Sequence, residues 1–223
     1  YTQELGWDTP LSSKLDSPQT LVLLFAASDY SDALESEILK LRNVFPNSVL
    51  LGCSTSGEVY LEEVSDDSLV VAVLKFAYTR LKLEVASISD IQESEGLGAT
   101  LAKRLMSDDL AAVFTLTNGL TVNGSSYVNG MHDVLGNEVI VTGGLAGDSD
   151  RFEKTWVMAD GNILLDHVAA IGFYGEHIQV AHGSRGGWDL LGPEREVTHS
   201  DANVLYSLDG QPALKVYKKY LGD

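Results

Sequence analysis

Residues 139–148 read VIVTGGLAGD: a short apolar run breaks into a glycine-rich turn and ends on a carboxylate. Ninety residues earlier, residues 49–58 read VLLGCSTSGE, so the same offset puts Gly57 on Gly147 and Glu58 on Asp148. It also pairs Leu50 with Ile140, Leu51 with Val141 and Asn47 with Asn137, and lays the apolar run at 21–25 on 111–115. Two copies are too few for a solenoid and suit a pair of half-domains.

Outward from the first copy, residues 20–27 (TLVLLFAA) form a continuous apolar run, the pattern of a strand buried on both faces. Ser28 or Asp29 is placed to cap a helix carrying Leu34, Ile38, Leu41 and Phe45, which ends at Pro46. Residues 48–53 read as a second buried strand, 54–58 as a special turn, and 69–76 with 81–88 as a hairpin. Residues 94–105 are amphipathic, with Leu97, Leu101 and Leu105 four apart.

The second half repeats the plan: a strand at 111–116, a helix capped by Asn123 and closed by Gly136, a strand at 139–142, then the turn at 143–148. An added hairpin crosses Asp160-Gly161 before strands at 167–174 and 178–182. Beyond a loop-like stretch from Gly183 come strands at 195–198 and 204–208 and a last helix with Pro212 at its first position. The reading is α/β: a layered domain of two pseudo-repeated strand–helix–strand–turn–hairpin halves with mixed sheets, the first two strands of each half parallel. Its divisions are an irregular lead-in at 1–19, then one domain at 20–223. Within that domain lie half one (about 20–90), a linker helix (94–105), half two (about 110–186) and a C-terminal segment (187–223).

Composition sets bounds. No run of ~18 apolar residues could span a bilayer. The formal net charge of −17 argues against nucleic acid and against an anionic membrane surface. The lone Cys53 leaves no disulfide framework and fits a reducing cytoplasm.

Ligands of open α/β sheets gather beyond the carboxyl ends of strands, where both turns lie. The first offers Cys53, Ser54, Thr55, Ser56 and Gly57; the second offers Gly143, Gly144 and Gly147. Backbone N–H groups there suit a ligand carboxylate, and Glu58 or Asp148 suits an ammonium group, which together describe a zwitterion such as an amino acid. The bland alternative is that the glycines permit tight turns and the acids cap backbone groups. Cys53 has no histidine near it in sequence, G-x-S-x-G is not matched, and nucleotide-binding fingerprints are absent. His132, His167, His177, His182 and His199 form no zinc pattern, so no metal site is expected, though one histidine suffices as a haem axial ligand.

At these residues the chain resembles the FIST sensory-domain family, in its N-terminal module. The matching stretches, in family order, are GCSTSGE (52–58), GGLAGD (143–148), GWDLLGP (187–193), VTHSDANVLYSLDGQPAL (197–214) and YLG (220–222). The resemblance implies a non-enzymatic, intracellular small-ligand-binding input domain of a bacterial signal-transduction protein, with no cofactor, and a signalling output domain or protein as partner. It implies a C-terminal companion module after LDGQPALKVYKKYLG (208–222), so the chain reads as the N-terminal module alone or as a short member. It places the ligand cleft between the two turns, adding Leu145 and Ala146, with Trp188 as an aromatic wall or as core packing. Amino acids are the ligands it suggests; a haem-binding nitric-oxide sensor is the alternative, and a hydrolase using Cys53, Ser54 or Ser56 is a third reading.

Overall fold

A strand buried on both faces needs cover on two sides, and β1 (Thr20–Ala27) has it. Val22, Leu24 and Ala26 point to one side and pack with Leu34, Ile38, Leu41 and Phe45, the apolar stripe of α1 (Asp32–Val44) and the residue following it. Leu21 points to the other side, into a core shared with a second sheet. The computed structural model describes residues 1–2, 6–29, 32–183, 186–187, 189–190, 192–201 and 204–222. They cluster in two units, Tyr1–Ala181 and His182–Asp223.

In chain order the first unit continues with β2 (Val49–Thr55), β3 (Glu58–Tyr60), β4 (Glu63–Ser65), β5 (Leu69–Lys75) and β6 (Arg80–Ser87). Then come α2 (Ser94–Leu105), β7 (Leu110–Thr117), α3 (Gly124–Leu135), β8 (Ile140–Leu145), β9 (Val157–Ala159), β10 (Asn162–Leu164) and β11 (His167–Tyr174). One sheet has the order β10-β9-β2-β1-β5 and the other β6-β11-β7-β8. The fold is α/β with mixed sheets: β1 runs parallel to β2 and antiparallel to β5, while β7 runs parallel to β8 and antiparallel to β11.

The sheets meet face to face through Leu51, Cys53, Val157 and Ala159 on one side and Ala112, Leu116, Ala169 and Ile171 on the other. On the far side of the second sheet, Leu97, Leu101 and Leu105 of α2 and Tyr127 and Met131 of α3 pack on Val113, Val168 and Ala170. Each fully buried leucine in these layers contributes about 1.5–3 kcal/mol. Asn123 caps α3 through its side chain, which accepts from the Ser126 N–H at 3.1 Å, and Gly136 closes the helix at φ 73°.

Three expectations need correction. Residues 69–76 and 81–88 do not pair: β5 is an edge of the first sheet, and β6 crosses to the second and pairs with β11. Residues 178–182 form no strand, because β11 already has β6 and β7 on its two edges; Ile178 and Val180 instead pack against the inter-sheet core. The glycines at 143 and 144 belong to β8, which runs on to Leu145, so the turn is shorter than the sequence suggests. The expected hairpin across Asp160-Gly161 is present as β9 and β10, with both turn residues at positive φ.

The second unit contains β12 (Val197–Asp201), β13 (Val204–Leu208), β14 (Gln211–Pro212) and α4 (Ala213–Leu221). Its three strands form an antiparallel sheet, and Arg195 bridges Asp209 at 2.7 Å and the Tyr220 hydroxyl at 2.8 Å. No helix among the described residues is long and apolar enough to cross a membrane.

Candidate functional site

The two turns lie against each other. The Gly147 N–H donates to the Ser54 carbonyl at 2.9 Å, and the Ser149 N–H donates to the Ser56 hydroxyl at 2.9 Å. A Cβ on Gly147 would stand 2.5 Å from Ser56 Oγ and 2.9 Å from its backbone nitrogen, so a bare α-carbon is what lets the turns touch. Because β2 and β8 belong to different sheets, this junction ties the two sheets together at one end.

Both carboxylates are buried there and engaged by the protein's own donors. Glu58, 2% exposed, accepts from the Thr55 hydroxyl on one oxygen and from the Ser68 N–H (3.1 Å) and hydroxyl (2.9 Å) on the other. Asp148, 5% exposed, accepts from the Ser28 hydroxyl, from Arg151 Nε (3.1 Å) and Nη2 (2.9 Å), and from the N–H groups of Glu153 and Lys154, both at 2.8 Å. Burial alone would raise the Asp148 pKa; the bonds from Ser28, Lys154, Glu153 and Arg151 outweigh it and hold the carboxyl well below its usual range. Ser28 and Asp29, expected at the cap of α1, face this cluster instead: Asp29 pairs with Arg151 at 2.8 Å.

Ser54 is fixed on three sides: its N–H donates to the Trp156 carbonyl (3.0 Å), its hydroxyl accepts from the Trp156 N–H (3.1 Å), and its carbonyl holds Gly147. Cys53 lies in the inter-sheet core, and burial pushes its thiol up to about 12. A thiolate is the reactive species, so Cys53 is expected to resist iodoacetamide at pH 8 in the native protein and to label fully in denaturant. Fast native labelling, followed by mass spectrometry, would contradict this burial. Gly143, Gly144 and Leu145 are exposed on β8, Ala146 is buried and donates to the Thr117 carbonyl at 2.8 Å, and Trp188 lies outside the described residues.

The histidines are dispersed. His132 Nδ1 lies 3.1 Å from the Gly136 carbonyl, His167 Nδ1 contacts the Leu165 carbonyl, and His177 lies beside Tyr78 with ring centroids 5.1 Å apart. His199 stacks on Tyr206 at 4.7 Å. Among the described residues no three His, Cys, Asp or Glu side chains converge to hold a metal ion.

A cavity of about 690 Å³ lies elsewhere, between the lead-in and the β5 edge of the first sheet, a size that accommodates a small organic ligand. Leu69, Val71 and Val73 of β5 line it together with Trp7, Leu11 and Tyr60. Ser68 lines it too, and Ser68 is the residue that holds Glu58 at the junction. In the sequence much of this wall falls within the irregular lead-in at 1–19, where no periodic pattern marks it. Its signal was the pair of aromatic residues, Tyr1 and Trp7, in a polar, proline-bearing stretch.

Comparison with known proteins adds a family. A family model described as FIST N domain matches residues 20–211. The chain is also similar to an uncharacterized protein of Methanocaldococcus jannaschii, 25% identical over 223 residues that cover 92% of this chain and 41% of that protein. The chain thus spans about two fifths of the length of the curated relative it matches.

Proposed function

The chain belongs to the FIST N domain family, a family of sensory domains, and from that premise we propose that it is the input domain of a signal-transduction protein that binds a small molecule in the cavity against β5. The observation that carries this reading is the double role of Ser68. It forms part of the cavity wall, and it donates two hydrogen bonds to Glu58, whose other oxygen is held by Thr55 next to the contact between Ser56 and Gly147. A ligand that shifts the Ser68 loop therefore acts on the junction between the two sheets. Binding that favours one arrangement of that junction shifts its population, which is how an input domain informs an attached output.

In this reading the buried carboxylates of Glu58 and Asp148 hold the junction in register, and the ligand meets other groups. Thermal unfolding of the purified chain against amino acids, amines, other small metabolites and haemin tests it. A ligand at about 100 times its dissociation constant adds about 2.7 kcal/mol. For a domain of this size that is a rise of roughly 5–11 °C. The rise is expected to vanish in Val71→Phe, which fills the cavity floor. A ligand that stabilises Val71→Phe as much as the parent protein would place the site elsewhere.

A further inference from the structure

The walls of the cavity against β5 carry a consistent charge and chemistry. Tyr1, Trp7, Phe45 and Tyr60 supply aromatic surface, and Asp8 and Glu63 supply carboxylates. Among the described lining residues there is no lysine, arginine or histidine. Tyr60 and Glu63 are directly opposed across the β3–β4 hairpin, which puts both side chains on one face.

The polar ends of two rings are engaged by the protein. The Trp7 indole N–H donates to Glu37 at 2.7 Å, and the Tyr60 hydroxyl donates to Asp8 at 2.9 Å. Their orientation is thereby fixed, and ring faces are what they offer a ligand. The rings of Tyr1 and Trp7 stand 5.4 Å apart at an interplanar angle of 50°, two inclined faces at the same wall. Aromatic faces carry negative charge density and attract cations, most strongly when water is excluded. Carboxylates beside them add to the same preference.

We propose that this cavity takes a small organic cation, a protonated amine or quaternary ammonium on an apolar body, and that this is the ligand class of the sensory site proposed above, on which the inference rests. The aliphatic floor of Leu69, Val71 and Val73 receives the apolar body, and Asp8, Glu63 and the ring faces receive the charge. Phosphates and carboxylates meet acids and no basic side chain among the described lining residues, and the Tyr1 α-ammonium already donates to the Leu69 carbonyl at 2.8 Å. A zwitterionic amino acid places its ammonium well, and its carboxylate has no cationic side chain to meet among the described lining residues.

Isothermal titration of the full chain with four probes tests this: 2-phenylethylamine, phenyltrimethylammonium, the neutral N-acetyl-2-phenylethylamine, and phenylalanine. Both cations are expected to bind at least about tenfold more tightly than the neutral amide or the zwitterion, the combined size of the cation–aromatic contacts and a carboxylate at a partly exposed wall. Asp8→Asn and Glu63→Gln are each expected to weaken cation binding several-fold and to leave the neutral amide unchanged, and Val71→Phe is expected to abolish binding. Equal affinity for amide and amine, lost in Val71→Phe, would overturn the ligand class and keep the cavity as the site. Cation binding unchanged in Val71→Phe and in Asp8→Asn would overturn the site itself. No binding by either cation at millimolar concentration would overturn the proposal outright.

Discussion

Replacing Asp148 by alanine is expected to destabilise the protein by about 1–3 kcal/mol, the cost of losing the hydrogen bonds of a buried carboxylate whose partner Arg151 is itself partly exposed. In a domain of this size that lowers the unfolding temperature by roughly 2–12 °C. The reason lies in what is left behind. The N–H groups of Glu153 and Lys154 lose their acceptor, and Arg151 keeps its contacts to Asp29 and Ser28 but loses its bonds to the buried carboxylate. Asp148→Asn is milder in shape and opposite in one respect, since its amide nitrogen is a donor facing donors. The acid side of the stability curve gives a second readout. Asp148 binds its proton less readily in the native state than in the unfolded chain, where a carboxyl titrates near about 3.9. Its contribution is therefore fully present above that value and is lost as pH falls below it toward the depressed native pKa. In Asp148→Asn the acid slope should flatten. A loss under about 1 kcal/mol with an unchanged acid slope would mean that the cluster is a surface ornament.

The second large effect is predicted at Gly143. Its φ is 148°, and a Cβ there would lie 1.8 Å from the carbonyl oxygen of Thr115, its partner across the β7–β8 pair. Backbone strain and overpacking of this kind each cost about 1–3 kcal/mol, so Gly143→Ala is expected to lose about 2–6 kcal/mol. Gly144 is exposed, and a Cβ on it would meet nothing within 4 Å. Gly144→Ala should stay within about 0.5 kcal/mol of the parent. Equilibrium denaturation of the two variants side by side decides the matter: equal losses would refute the close approach of β7 and β8.

That contrast also shows where the sequence was readable. The apolar runs announced β1, β2, β7 and β11, the leucines of α2 announced its buried face, and Asn123 and Asp160-Gly161 announced a cap and a turn by their chemistry. Each of those signals is local. Which sheet a strand joins is not local, so β5 and β6, adjacent in sequence, read as a hairpin and lie in different sheets. Likewise Glu58 and Asp148 stand out by spacing, but the donors that surround them come from Ser68, Ser28 and Arg151, which no pattern links to them. The cavity against β5 was the least legible feature, because its walls come from the lead-in, the β3–β4 hairpin and β5.

The exchange of strands between the halves has a consequence for how the chain reaches its native state. β6, encoded in the first half, pairs with β11, about ninety residues later, and β9, encoded late, joins the first sheet beside β2 and carries β10 on its outer edge. The first sheet is completed only by β9 and β10, which end at Leu164, and the second only by β7, β8 and β11, which ends at Tyr174, so a ribosome-bound nascent chain ending at α2 holds β2 and β6 without the neighbours that later cover them. Such non-local pairing slows folding and leaves apolar strands open to association in the meantime. The same interlocking means that opening one sheet loosens the other, so the first unit is expected to unfold as one cooperative block rather than half by half.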